Sequence, residues 1–453
     1  SYANMRRFLT GGSLPPTDAV RIEEFINYFK YDYPAPKGDS PFTVKVNLLP
    51  CPWAPSHQLA RVGLRGKDLP TEKRPPANLV FLIDTSGSMA DADKLPLLIK
   101  GMKLLTESLT AKDCISIVTY AGNAGIRLSP TRGDQKVLIQ STLDSLAAGG
   151  STNGEGGIRL AYDLARQTFI QGGANRVILA TDGDFNVGVS NTDTLVNMIQ
   201  ESAKAGVFLT VLGFGQGNLQ DDRMEALADK GNGQYAYIDS FSEARKVLME
   251  EAAGSLFTIA KDVKIQVEFN PAKVASYRLI GYENRALEAK DFNDDKKDAG
   301  EIGAGHTVTA LYELVPPGAE PIPAKVDDLK YQAKPEAEKA PAPPAESPAS
   351  REYMTVKLRY KSPQGDTSQK VEIPVDAAKI KDTPDTDDRF VTAVAAFGML
   401  LRHSDYSGTA TMDEVVRWAE DSKGSDKDGL RAEFINLART AAALIGKPAD
   451  TPQ

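Results

Sequence analysis

Hydrophobic residues change their spacing several times along the chain. From Thr17, which would cap a helix, Val20, Ile22, Phe25, Ile26 and Phe29 fall largely on one helical face, and Pro34, Pro36 and Pro41 stop it. Phe42–Leu49 (FTVKVNLL) then alternates apolar and polar residues as a half-buried strand does, and Leu59–Leu64 (LARVGL) repeats the pattern. From Asn78 to about Gly254, unbroken apolar runs take over. Leu79–Ile83, Ile115–Tyr120, Arg176–Thr181 and Val207–Gly213 read as strands, with helices starting near Lys94, Gln135, Glu155, Thr192, Asp221 and Glu243. Repeated strand–helix alternation with continuous apolar strands implies a mostly parallel sheet covered on both faces.

Beyond Gly254 the alternation returns in Val263–Phe269 (VKIQVEF), Thr307–Leu314, Met354–Tyr360 and Lys370–Val375. Pro316–Ser350 interrupts them with nine prolines. That composition cannot build a core and reads as an extended loop within the β region. Asp387–Ile445 is helical, with Phe390, Val394, Phe397 and Leu401 at helical spacing and a further helix near Leu430–Leu444. The expected organisation is a helix plus β-strands over residues 1–76 and a doubly wound, Rossmann-like α/β domain over 77–256. A β domain over 257–380 follows, with its Pro-rich loop at 316–350, and then a helical segment over 381–453. Neither Phe42–Leu64 nor Val263–Val375 alone has enough strands to close a sandwich. The α/β domain is therefore expected to be inserted in a β-sandwich-like domain built from both flanks.

Composition narrows the classes of partner. With 453 residues, 41% of them apolar and 25% charged, the chain suits two or three ordinary globular domains. Its net charge of −8 lacks the positive field that nucleic acid or an anionic membrane demands. Apolar runs such as Leu79–Ile83 fall far short of a ~20-residue bilayer span, so no transmembrane segment is expected. Two cysteines exclude a disulfide framework, and Cys51 and Cys114, placed in different domains, are predicted to be unpaired. His57, His306 and His403 lie too far apart in sequence for a local metal motif. The opening Ser-Tyr-Ala-Asn-Met reads as a mature or trimmed product.

The chemistry concentrates at three strand ends of the α/β region. Asp84, Ser86 and Ser88 stand in Phe-Leu-Ile-Asp-Thr-Ser-Gly-Ser-Met, directly after its first strand, where open α/β sheets bind ligands. The spacing turns one carboxylate and two hydroxyls toward a common point as the chain bends into a helix. Gly149–Gly154 (GGSTNG) supplies a second hydroxyl source before a helix, and Ala180–Asp184 (ATDGD) a third oxygen source after a strand. Oxygen-only groups from three strand ends are the ligand set of a hard divalent cation.

These residues resemble the metal-ion-dependent adhesion site of von Willebrand factor type A domains. Asp84, Ser86, Ser88, Thr152 and Asp182 match its five positions. The resemblance implies that Ser86, Ser88 and Thr152 would touch the metal, with Asp84 and Asp182 holding it mainly through water. Mostly neutral ligands would leave the ion electrophilic, so that a partner's Asp or Glu completes the octahedron. Mg²⁺ suits such a site, with Mn²⁺ or Ca²⁺ as substitutes. The flanks carry a further resemblance. SYANMRRFL and LPPTDAVRIEEFINYF before the A domain, and DFNDDKKDAGEIGAGHTVTALYELVP after it, are similar to a bacterial family. Its members place an A domain between a family-specific N-terminal segment and a C-terminal domain of unknown function. That likeness implies an exported envelope or periplasmic protein, often lipid-anchored, with no assigned reaction, and with the adhesion-site motif the expectation is a protein-binding module and no enzyme.

Other signals are weaker. Asp184 reads as an exposed turn residue. Asp291-Phe-Asn-Asp-Asp-Lys begins like a calcium loop but has Lys296 and Ile302 where Gly and Glu are required, which favours a solvated acidic turn. Gly213-Phe-Gly-Gln-Gly lacks the dinucleotide fingerprint, and Trp53 and Trp418 read as packing residues. Two alternatives stay open: a hydrolase using Asp84 and Asp182, and a purely structural envelope scaffold. An aspartic-protease turn requires Asp-Thr/Ser-Gly, whereas Ser86 here precedes Gly87, and both aspartates lie in a βαβ series.

Overall fold

In the computed structural model the chain builds part of one unit, leaves it for a second over Leu69–Phe257, and returns to the first from Thr258. The described residues are 1–70, 74–150, 154–183, 192–215, 221–251, 258–281, 300–322, 351–363, 365, 367–376 and 383–446. Helix α1 (Tyr2–Thr10) buries Tyr2, Met5 and Leu9 on one face. The helix read from Thr17 is instead a single 3-10 turn over Thr17–Ala19, and α2 spans Ile22–Tyr28. Val20 is extended between them, which lets both Val20 and Ile22 reach the core. Strands β1 (Phe42–Pro50) and β2 (Gln58–Gly66) then pair antiparallel, with Val46 opposite Val62.

The second unit contains β3 (Ala77–Asp84), α3 (Leu95–Ser108), β4 (Cys114–Tyr120), β5 (Ala124–Arg132), α4 (Lys136–Asp144) and α5 (Gly154–Gln167). It continues with β6 (Ala174–Thr181), α6 (Thr192–Lys204), β7 (Val207–Phe214), α7 (Asp221–Lys230), β8 (Tyr235–Ile238) and α8 (Phe241–Arg245). Its sheet runs β5-β4-β3-β6-β7-β8 and is parallel except for the β4–β5 pair. The edge strand β5 escapes the sequence pattern because, of its nine residues, Leu128 alone is fully buried. Its glycine and proline are tolerated at an edge. Every residue of β3 is buried, and Val80, Leu82, Val118, Leu179 and Val211 share a core with Ile158 and Tyr162 of α5. Strand order reverses at β3, which makes its carboxyl end the switch-point crevice of a doubly wound sheet.

Returning to the first unit, the chain adds β9 (Thr258–Phe269), β10 (Ser276–Leu279), β11 (Gly300–Gly303), β12 (Thr307–Val315), β13 (Glu352–Lys361) and β14 (Ser368–Asp376). Two four-stranded sheets result, β1-β2-β12-β10 and β11-β9-β13-β14. The β2–β12 pairing, with Leu64 opposite Val308, joins the two flanks in one sheet, as the strand arithmetic requires. Val62, Leu314, Met354 and Val356 belong to the core between the sheets. Helices α9 (Thr386–Leu401), α10 (Met412–Asp421) and α11 (Leu430–Ile445) close the chain. Phe29 packs on Phe390 and Phe434 at ring distances of 5.0 and 5.6 Å, so N- and C-terminal helices share one aromatic core. Leu49, Leu59 and Leu311 join that core from the first sheet. Asp385 and Asp388 form a capping box on α9, and the buried Arg61 of β2 donates to Asp388 at 2.9 Å. Segments read separately as 1–76, 257–380 and 381–453 thus contribute to one unit.

Both cysteines are free thiols. Among the described residues no helix is long and apolar enough to cross a membrane.

Asp113 ties the amino ends of β3 and β4 together. Its buried carboxylate accepts from Arg74 at 3.1 Å, from the Ala77 N–H at 2.9 Å and from the Thr110 N–H at 2.7 Å. Burial alone would raise its pKa, but Arg74 and these N–H donors outweigh it and hold the carboxyl below its usual range. A carboxylate depressed in this way stabilises the fold above its unfolded pKa, and that contribution is lost as pH falls through the folded value. Asp113→Asn is therefore expected to cost about 3–5 kcal/mol at neutral pH. The difference from the parent protein should shrink in acid, as measured by urea unfolding at pH 7 and again below pH ~4.

Candidate functional site

The site forms where β3 and β6 end side by side. Asp84 closes β3 with no exposed surface, and its Oδ1 accepts the Ser86 N–H at 2.8 Å. This carboxylate-to-backbone bond two residues on is what turns the chain out of the strand. Gly87–Ala90 then form a 3-10 turn. The Ser86 and Ser88 hydroxyls lie 3.0 Å apart, the first buried and the second exposed, so the pair faces from the protein interior toward solvent. The parallel register sets Ile83 opposite Ala180, which brings Thr181 beside Asp84. The Thr181 hydroxyl donates to Asp84 Oδ2 at 3.4 Å.

Asp182 follows on the same strand end and is 6% exposed. Its Oδ2 accepts from Lys94 Nζ at 3.1 Å. Its Oδ1 is buried and has no hydrogen-bond partner among the described residues. The third loop is laced to the first through its backbone. The Gly149 N–H donates to Thr85 O at 2.7 Å, and the Gly87 N–H donates to Gly150 O at 3.1 Å. Gly150 has φ +88°, a conformation that glycine adopts without penalty.

Asp84, Ser86, Ser88 and Asp182 are accordingly gathered at one strand-end crevice. Thr152 lies outside the described residues, although the loop holding it is anchored at Gly149–Gly150 and α5 begins at Gly154. Asp184, residues 291–299 of the acidic turn, Gln216 and Gly217, and residues 323–350 of the Pro-rich loop also lie outside them. Among the described residues no group of three or more His, Cys, Asp or Glu side chains could hold a metal. A cation here would therefore depend on hydroxyls as much as on carboxylates. The oxygen-only donor set and the unpartnered Oδ1 of Asp182 fit such an ion.

Charge reinforces the geometry. Burial raises the Asp84 pKa, the nearby Asp182 charge adds to the rise, and hydrogen bonds from Ser86 counter it. Burial alone would lower the Lys94 pKa, but the carboxylates of Asp182 and Asp91 hold its ammonium above the usual range. Sequence reasoning passed over Lys94 as the start of a helix. One signal was available: a lysine at a helix N-terminus opposes the macrodipole and so calls for a separate partner.

Family comparisons cover the same segments. Residues 78–250 match the von Willebrand factor type A domain, residues 1–61 a segment described as von Willebrand factor, and residues 254–444 a segment described as "Uncharacterized protein YfbK, C-terminal". The chain is 45% identical over 449 residues to "Uncharacterized protein YfbK" of Escherichia coli, a match spanning 97% of this chain and 76% of that protein. It is 26% identical over 189 residues to "Uncharacterized protein sll0103" of Synechocystis, spanning 42% of this chain and 44% of that one. Among solved structures, a von Willebrand factor type A protein from Catenulispora acidiphila aligns with a TM-score of 0.45 and 14% identity, over 90% of this chain and 97% of the other.

A carboxyl whose pKa is raised by folding opposes folding as pH rises through that value. Asp84→Asn keeps the acceptor for the Ser86 N–H and removes the buried charge. In EDTA at neutral pH, its melting temperature is expected to equal or exceed that of the parent. A fall of more than about 5 °C in thermal unfolding would show that the charge itself supports the fold.

Proposed function

The chain belongs to the family of bacterial von Willebrand factor type A proteins that includes E. coli YfbK, and from that premise we propose that it captures an acidic group on a protein partner through a bound divalent cation. The match of residues 78–250 to the von Willebrand factor type A domain supports a protein-interaction reading. In this reading Ser86, Ser88 and Thr152 supply neutral oxygens to Mg²⁺, with Mn²⁺ or Ca²⁺ able to substitute. Asp84 and Asp182 balance its charge, mainly through water. When bound, the ion supplies an electrophilic open position for a carboxylate. Membership of this family supports a place in the cell envelope or periplasm.

One observation carries the proposal. Asp182 presents a buried carboxylate oxygen without a hydrogen-bond partner among the described residues, at the strand end adjoining Asp84 and the paired serine hydroxyls. An unpaired buried carboxylate oxygen is costly, and a cation or its water shell would satisfy it. The alternative of a carboxylate acid–base pair is less well supported, because Asp182 is already engaged by the Lys94 ammonium.

Equilibrium dialysis with Mn²⁺ tests the reading. We expect one ion per chain, displaced by Mg²⁺ and lost in Asp84→Asn. Ser86→Ala and Thr152→Ala each delete a direct oxygen and should weaken binding at least as much as the roughly 10–100-fold that loss of an outer-shell partner costs. Capture of an envelope partner on immobilised protein should disappear with EDTA. Capture that ignores EDTA and survives Asp84→Asn contradicts the proposal. Substrate turnover lost in that same variant would replace it with an enzymatic one.

A further inference from the structure

Lys94 stands at this site although the five-residue metal motif does not include it. Its Nζ donates to Asp182 Oδ2 at 3.1 Å and to the Ser88 carbonyl at 2.8 Å. Its side chain is 11% exposed. A third neighbour, Asp91, lies at 3.5 Å but is 72% exposed, so water screens that contact. The route of the lysine is also specific. A Cβ placed on Gly215, just past the end of β7, would lie 2.2 Å from Lys94 Cε, so the stem runs against bare glycine backbone. Gly215 has φ +75°, which also favours glycine there. The ammonium thus crosses from the start of α3 to the end of β6, although the helix dipole disfavours a cation at that terminus.

We infer that Lys94 is a resident counter-cation that competes with the divalent ion for Asp182 and raises the metal concentration at which the site fills. The inference rests on the metal-site reading above. Asp182 has one oxygen committed to the ammonium and one without a partner among the described residues, so an incoming ion shares the carboxylate with a positive charge already in place. In a largely dry crevice that repulsion is weakly screened. Lys94 would also hold Asp182 in position while no metal is bound, so that the carboxylate is not bare before loading.

Calorimetric titration with Mn²⁺ of the parent protein, Lys94→Met and Lys94→Arg tests this, with circular dichroism as the check on folding. Lys94→Met should bind about tenfold or more tightly. Lys94→Arg, which keeps the charge, should stay within about threefold of the parent. Lys94→Gln repeats the measurement should the methionine variant misfold. Unchanged or weaker binding in the neutral variants overturns the inference, as does an arginine variant as tight as the methionine one. Binding seen only when Lys94 is neutralised supports it in the strongest form. Metal binding by the parent with no effect of Lys94 leaves the metal site standing and removes only the lysine's role. No binding in any of the proteins overturns both.

Discussion

Two carboxylates kept dry at neighbouring strand ends need polar or positive partners beside them, and the crevice of the α/β unit is arranged around that need. Asp84 has no exposed surface and Asp182 almost none, because β3 and β6 are central strands covered by helices on both faces. Burial and the nearby Asp182 charge make Asp84 harder to ionise. The protein answers locally, with the Ser86 N–H and the Thr181 hydroxyl on Asp84 and the Lys94 ammonium on Asp182. One oxygen of Asp182 is still without a partner among the described residues, and that deficit separates this crevice from an ordinary strand-to-helix turn.

The rest of the α/β unit holds those strand ends in register. Asp113 links the opposite ends of β3 and β4, and backbone bonds at Gly87, Gly149 and Gly150 lace the first loop to the loop that leads into α5. The other unit depends on a different constraint. A sandwich whose sheet needs β2 beside β12 cannot close until the chain has passed through the whole inserted unit. Non-local pairing of this kind pays its loop entropy early and folds slowly. The aromatic core of Phe29, Phe390, Phe397 and Phe434 similarly unites the two ends of the chain.

The α/β series was legible because buried parallel strands appear as continuous apolar runs, and the Asp-x-Ser-x-Ser turn was legible because its geometry is local. The shared sheet could be inferred from a shortage of strands in each flank. Other features depend on contacts that sequence spacing does not encode. Strand β5 is an edge with one fully buried residue, β10 is four residues long, and α1 owes its burial to Tyr28, Phe29 and other distant partners. The helix expected from Thr17 begins later because Val20 is extended between the turn and α2. Lys94 meets Asp182 across 88 residues of sequence, which no motif reports.

Diffraction at the manganese absorption edge, on crystals of the protein grown with Mn²⁺, tests the central claim most directly. The account predicts one anomalous peak at the carboxyl ends of β3 and β6, beside Ser86, Ser88 and Asp182. A peak elsewhere, or an empty crevice at saturating Mn²⁺, would contradict it.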